Sequence, residues 1–134
     1  MRQVAGPYNL WTLDAANEQT GFILTQDFRH AVFTFVADNS ASATLKFYAS
    51  NEQLGDQPDL TAAASATNVY ATTQVIALED ASAVNGDTGV VYAGSSDGVT
   101  QYEINQNGNR RLGVKMTARA AGDVTIFLSL YDNS

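Results

Sequence analysis

Apolar and polar residues alternate with a period of two along much of this chain, most clearly in its C-terminal third. From Asn109 the sequence reads NRRLGVKMTARAAGDVTIFLSLYDNS. Leu112, Val114, Met116 and Ala118 alternate with Arg111, Gly113, Lys115, Thr117 and Arg119. Successive side chains of a β-strand point to opposite faces, so this spacing predicts one buried and one wetted face. Ala120 to Asp123 reads as a short glycine-containing turn, and Val124, Ile126, Leu128 and Leu130 line a second strand, which predicts a hairpin. The outer face of that last strand carries Thr125, Phe127, Ser129 and Tyr131, two of them aromatic, so this face is expected to be covered as well.

The middle of the chain follows the same pattern. Phe28 to Ala37 predicts a strand with Ala31, Phe33 and Phe35 on one face and Val32, Thr34 and Val36 on the other. Asp38-Asn39-Ser40 is turn chemistry. Thr44 to Ser50 follows as a strand with Leu45 and Phe47 inward and Lys46 and Tyr48 outward. Residues 51 to 68, with Pro58, form a long connection, and Thr61 to Ala66 is too short to stand as a helix. Gln74 to Leu78, Gly89 to Ala93 and Val99 to Ile104 are further strands, separated by the turn signals Asn85-Gly86-Asp87 and Asp97-Gly98. Asn107-Gly108 predicts a tight turn into the strand at Arg110. Leu10 to Leu13 and Gly21 to Thr25 add two short candidates near the start.

About eight strands and no amphipathic helix predict an all-β fold: a single two-sheet β-sandwich, Greek-key or jelly-roll-like, spanning residues 1–134. A two-sheet sandwich covers only the inner face of each sheet. Val32 and Val36 behind the Phe33 and Phe35 face, and Phe127 and Tyr131 behind the Ile126 and Leu128 face, therefore need cover from a neighbour or from the segment around Trp11. These five residues, together with Arg110 and Arg111 at a strand start, are the candidate protein–protein interface. The arginines suit an acidic partner surface, with a solvated hairpin end as the alternative.

Composition narrows the function. Seven basic residues face fourteen acids, for a net charge of −7. Nucleic-acid binders gain affinity from Lys and Arg along the phosphate backbone, so direct nucleic-acid binding is not expected, and an anionic membrane would repel this surface. Only 16% of residues are charged. That low density removes the repulsion that keeps many surfaces monomeric, while the net charge preserves solubility. No cysteine is present, which excludes disulfides, thiolate nucleophiles and thiolate zinc sites. The opening residues MRQVAGPYNLWTLD hold no apolar signal-peptide core, and no apolar run approaches the roughly 18 residues of a membrane span. The expectation is a protein made in the cytoplasm.

Chemistry finds little to stand on. His30 is the single histidine, placed within a strand, and no G-x-S-x-G elbow accompanies it. Glu79, Asp80, Asp87, Asp97 and Glu103 supply carboxylates of the kind glycoside hydrolysis uses, yet most sit where turns use Asp to bond the backbone. Asp80, Asn85 and Asp87 could hold calcium, but their spacing matches no calcium loop, and solvated turn acids are the plainer reading. Trp11, Tyr8, Tyr48, Tyr70, Tyr92 and Tyr131 could stack on sugars, with core or interface packing as the alternative. No catalytic residue, metal or cofactor is therefore expected, and the chain reads as a binding or structural module rather than an enzyme.

Five segments together carry a resemblance: TLKFYASN (44–51), PDLTAAASATNVY (58–70), VIALEDASAVNGDTGV (75–90), YEINQNGNRRLGVKMTA (102–118) and AGDVTIFLSLYDN (121–133). Their order of strand, Pro-Asp loop, acidic NGDTG turn, NxNG turn and final apolar strand resembles small β-sandwich structural proteins of tailed bacteriophages, head decoration or cement proteins among them. The resemblance implies a capsid decoration protein at the virion surface that binds the major capsid protein or another virion protein and stabilises the head. It further implies a homo-oligomer, a trimer being favoured, and no catalytic residues. The alternative is a carbohydrate- or receptor-binding β-sandwich module of a phage tail or cell-surface protein.

Overall fold

A computed structural model of the chain describes residues 3–20, 22–24, 28–51, 58–94, 97–105 and 110–132. The chain is all-β: no helix occurs among the described residues, and their nine strands are β1 (Gln3–Leu13), β2 (Ile23–Leu24), β3 (His30–Ser50), β4 (Ala71–Thr72), β5 (Val75–Ala77), β6 (Ser82–Val84), β7 (Val90–Ala93), β8 (Gly98–Asn105) and β9 (Arg111–Asp132). Hydrogen bonds join them into one antiparallel sheet with the path β1-β9-β3-β8-β5-β6, while β2 adds to β9 and both β4 and β7 add to β3. The expected pair of separately bonded sheets is thus replaced by a single sheet.

The difference lies in β3 and β9. Each was expected to be two strands interrupted by a turn, at Asp38 to Ser40 and at Ala120 to Asp123. Each instead runs through as one strand of about twenty residues, and the two pair with each other from His30↔Tyr131 to Ser50↔Arg111. The turn residues make a corner in a continuous ladder. Asn39 and Ser40 take positive φ in β3, and Ala118 and Gly122 do so in β9. Between Asp38↔Asp123 and Ser42↔Ala121 the extra residues lie in β3, and between Ser42↔Ala121 and Thr44↔Thr117 they lie in β9. The two bulges are equal and opposite, so the register lost at the first is restored at the second. Bulges bend a strand and tighten its twist.

The bend folds the sheet back on itself. A strand rises about 3.3 Å per residue, so residues 33 and 47 of a straight strand would stand roughly 45 Å apart. The rings of Phe33 and Phe47 are 6.0 Å apart, and Phe35 stacks on Phe47 at 5.5 Å. The corner is what permits this. Gly122 has φ +74, and a Cβ there would stand 2.5 Å from the Ala41 Cα and 2.7 Å from the Asp38 carbonyl oxygen. The Asp97 carboxylate accepts the amides of Ser40 at 3.1 Å and Ala41 at 3.2 Å, giving the bulged backbone its partners.

Inside the fold lies one core. Ala31, Phe33, Phe35, Ala37, Leu45 and Phe47 of β3 meet Leu112, Val114, Met116, Val124, Ile126 and Leu128 of β9, all buried. The inward phase read from the sequence is the observed one in both strands except at Ala118, which is exposed at the corner with positive φ. β2, β5, β7 and β8 fall close to their predicted places, β1 starts at Gln3 rather than at Leu10, and β4 and β6 were unforeseen. The Asn107-Gly108 turn lies outside the described residues.

Candidate interaction surfaces

Folding the sheet leaves two outer faces, and they are finished differently. One lies behind β3 residues 42–50 and β9 residues 111–117. Here Lys46 and Lys115 stand directly opposite each other in register, an unfavourable like-charge pair unless each finds a partner. Both do: Lys46 pairs with Asp87 at 3.4 Å, and Lys115 donates to the Leu60 carbonyl at 3.0 Å. The connection from Pro58 to Tyr70 lies over this face. Tyr70 packs edge-on against Tyr48 at 5.5 Å and also meets Phe22 at 6.3 Å. Phe22 and Leu60 are buried outside the main core, Phe22 against Tyr70 of this loop and Leu60 within the loop itself. The loop braces itself: the Asp59 amide donates to the Asn68 side-chain oxygen, Asn68 returns a bond to the Asp59 carbonyl, and Asp59 accepts from the Thr61 amide and hydroxyl. Those Thr61 bonds hold the Asp59 carboxyl below the usual carboxylate range.

The other outer face lies behind β3 residues 30–37, β8 and β9 residues 124–131. Four of the expected interface residues meet here. In register, Val32 faces Ser129, Thr34 faces Phe127, Val36 faces Thr125 and His30 faces Tyr131. On the other side of β3, Val32 faces Glu103 and Val36 faces Val99. Val32, Val36, Phe127 and Tyr131 are half-buried, shielded by one another and by threonines. Val99 is 63% exposed and Leu78 is 42% exposed. Two shallow clefts adjoin along β8. One of about 360 Å³ is lined by Val32, Leu78, Gln101, Glu103, Ser129, Leu130 and Tyr131. The other, about 570 Å³, runs from Leu78 and Glu79 past Tyr92 to Asp97 and Val99. Leu78 and Gln101 border both.

The remaining expected interface residues fall elsewhere. Trp11 lies on the edge strand β1 near Tyr8, both about half exposed. Register shifts flank Tyr8 and precede Trp11, which breaks the regular edge. Arg110 and Arg111 lie in the other half of the sheet: the Arg110 amide donates to the Ser50 carbonyl at 2.9 Å, and Arg111 faces Ser50 and Leu24. They do not join the Val32 face. The sequence did not place Leu78, Val99 or Gln101 on an interaction surface, and it offered Glu79 only as a candidate carboxylate. Its signal was Val99, an apolar residue on the polar phase of a strand whose Thr100, Tyr102 and Ile104 point inward.

The candidate chemical residues are dispersed. His30 stacks on Tyr131 at 4.9 Å, with its Nδ1 3.7 Å from Glu103, too far for a hydrogen bond. Asp80 accepts the Ser82 amide at 3.0 Å, and bonding to Ser82 lowers its pKa. Asn85 accepts the amides of Asp87 and Thr88, so its oxygen serves the turn. Among the described residues, no group of three or more His, Cys, Asp or Glu is placed to hold a metal. Of the tyrosines, Tyr92 and Tyr102 join the core, and burial pushes the Tyr92 phenol up to about 12. Tyr8 and Trp11, both on β1, are the candidate aromatics about half exposed to solvent.

No protein-family model matches the sequence, and a search of curated proteins finds no match. Among solved structures, the fold is similar to the crystal structure of the SPBc2 prophage-derived protein YomS, with a TM-score of 0.65 and 10% identity over 98% of this chain and 94% of that one.

Proposed function

We propose that this chain is a structural protein of a tailed phage that decorates the virion head, docking on the major capsid protein or another virion subunit and stabilising it. The observation that carries the reading is the outer face with half-buried Val32, Val36 and Phe127 and exposed Val99, over which no described loop lies, while the loop from Pro58 to Tyr70 covers its counterpart. The likeness of fold to a prophage-derived protein over nearly the whole chain supports a phage setting. A homo-oligomer, in particular a trimer, would present several docking faces at once, so that modest contacts multiply through avidity. In this reading the folded sheet serves as a two-layered sandwich of the kind such proteins use, and the protein performs no catalysis and needs no metal. Compositional analysis of purified particles tests it. The protein should be present in copy numbers comparable to the major capsid subunit; absence from particles, or a few copies confined to the tail, overturns it.

A second reading rests on Tyr8 and Trp11. Exposed rings on a strand stack on the apolar faces of sugars, which favours glycan binding by a receptor-binding module. Binding to host-surface glycans that disappears on Trp11→Ala would establish it, and glycan binding indifferent to both aromatics would dismiss it.

A further inference from the structure

β8 is paired with β3 along its whole length, from Gly98 to Asn105. On its other side, β5 reaches only Tyr102 and Glu103, and the Leu78 amide adds one bond to the Gln101 carbonyl at 3.0 Å. In an antiparallel ladder the amide and carbonyl of one residue point to the same side, and residues two apart agree. Gln101 faces β5, so the N–H and C=O of Val99 face that side too. The chain has by then turned away through residues 79–81 into β6. Among the described residues no strand pairs with Val99 on that side. The space beside it is the cleft of about 570 Å³, with Leu78 and Val99 as apolar lining and Glu79 and Asp97 as flanking carboxylates. Glu103 lines the adjoining cleft, and no Lys or Arg lines either among the described residues.

We propose that the open edge of β8 at Val99 takes an extended basic segment of a partner protein as an added strand. The edge supplies a donor and an acceptor at strand geometry, which an extended chain satisfies together. The carboxylates select Lys or Arg side chains, and the like charge of a second copy of this acidic chain opposes its use as the occupant. Leu78 and Val99 supply an apolar strip beside these carboxylates for the apolar part of the segment. Asp97 is held by the corner amides of Ser40 and Ala41, so its charge is fixed in place. The proposal deepens the docking reading by naming the chemistry of the partner segment, and it rests on that reading only for where the segment comes from.

The probe is a fluorescent, blocked heptapeptide alternating Lys or Arg with Val, compared by anisotropy with one carrying Glu in place of the cations. The basic peptide binds and the acidic one does not up to about 1 mM. Val99→Pro removes the amide that faces the opening, not a bond to β3, and weakens binding at least about tenfold. Glu79→Lys, on the surface, weakens it by a similar factor. Hydrogen exchange supplies a readout that does not depend on the proline variant folding: the basic peptide slows exchange of the Val99 amide at least about tenfold. No binding of the basic peptide, equal binding of the acidic one, or unchanged exchange at Val99 overturns the proposal. If the peptide fails while particles carry the protein in abundance, the added strand falls and the docking reading stands; if the peptide binds and particles lack the protein, the reverse holds.

Discussion

The two outer faces of the bent sheet begin from similar material and end differently. Behind residues 42–50, outward Tyr48 and the opposed Lys46 and Lys115 would have been a poor surface, and the loop from Pro58 to Tyr70 covers it with buried Leu60, with Tyr70 and with a self-bonded backbone. Behind residues 30–37, outward Val32 and Val36 lie beside Phe127, and no described loop lies over them. An outward apolar residue therefore does not by itself announce a partner, since the same chain can supply its own cover. What separates the two faces is that a described loop covers the first and none covers the second.

The comparison depends on the corner that creates two faces from one sheet, and breaking it has the largest expected effect. Gly122→Ala places a Cβ 2.5 Å from the Ala41 Cα at a φ of +74. Strain and overlap together should cost about 3 kcal/mol or more, and for a chain of this size the melting temperature should fall by more than about 10 °C. Differential scanning calorimetry reads this directly. An unchanged melting temperature would mean that the ladder tolerates a different corner.

High pH should loosen the two halves next. Tyr92 on β7 shares a hydrogen bond with Thr100 on β8, linking strands that belong to opposite halves of the folded sheet. Burial raises its phenol from 10.0 to about 12. Below pH 10 both folded and unfolded chains hold the proton, and the full stability is present. Between pH 10 and about 12 the unfolded chain loses the proton while the folded chain retains it, so stability falls by about 2–3 kcal/mol across that window. Denaturant titrations at pH 9 and 11.5 would measure it. Tyr92→Phe should flatten the decline, and a decline unaltered by that substitution would assign it to other groups.

The covered face should weaken when its plug is removed. Leu60→Ala empties a buried side chain outside the main core and should cost about 2 kcal/mol, the lower end for such truncations because the loop can partly collapse. Proteolysis within residues 58–70 should accelerate before global unfolding does. A loss below about 0.5 kcal/mol would show that the loop is fastened mainly by its hydrogen bonds.

How much of this was legible is clearest at β3 and β9. The inward phase of Phe33, Phe35, Leu45 and Phe47 was readable because alternation is a local property. Their continuity was not. Asp38-Asn39-Ser40 and Ala120 to Asp123 have the composition of ordinary turns, and only the compensation between two bulges, distant in sequence, converts them into one corner. One sheet rather than two follows from that. That Val32, Val36, Phe127 and Tyr131 point outward was legible from phase, whereas their meeting on one face depends on β3 pairing with β9. The separation of Arg110 and Arg111 from them was not, since it depends on which side of the corner each segment of β9 lies. The open edge at Val99 was hidden because it depends on where β5 stops, which no local pattern records.

The smallest expected effect on stability is at the bare face, and there it is the point of the comparison. Val99 is 63% exposed, so Val99→Ser removes few contacts from the folded chain and should change stability by less than about 0.5 kcal/mol. The lower β-propensity of Ser on an edge acts in the destabilising direction and accounts for most of that allowance. If the proposed docking reading holds, the same substitution takes an apolar contact from that surface and should reduce incorporation into phage particles far more than it reduces stability. Quantifying the variant in purified particles, beside its melting temperature, tests both statements at once. Leu60→Ala supplies the opposite pattern: less stable protein, but the same share of the folded fraction on particles. If Val99→Ser instead proved as destabilising as Leu60→Ala, the bare face would be part of the monomer's own packing, and the distinction between the two faces would fail.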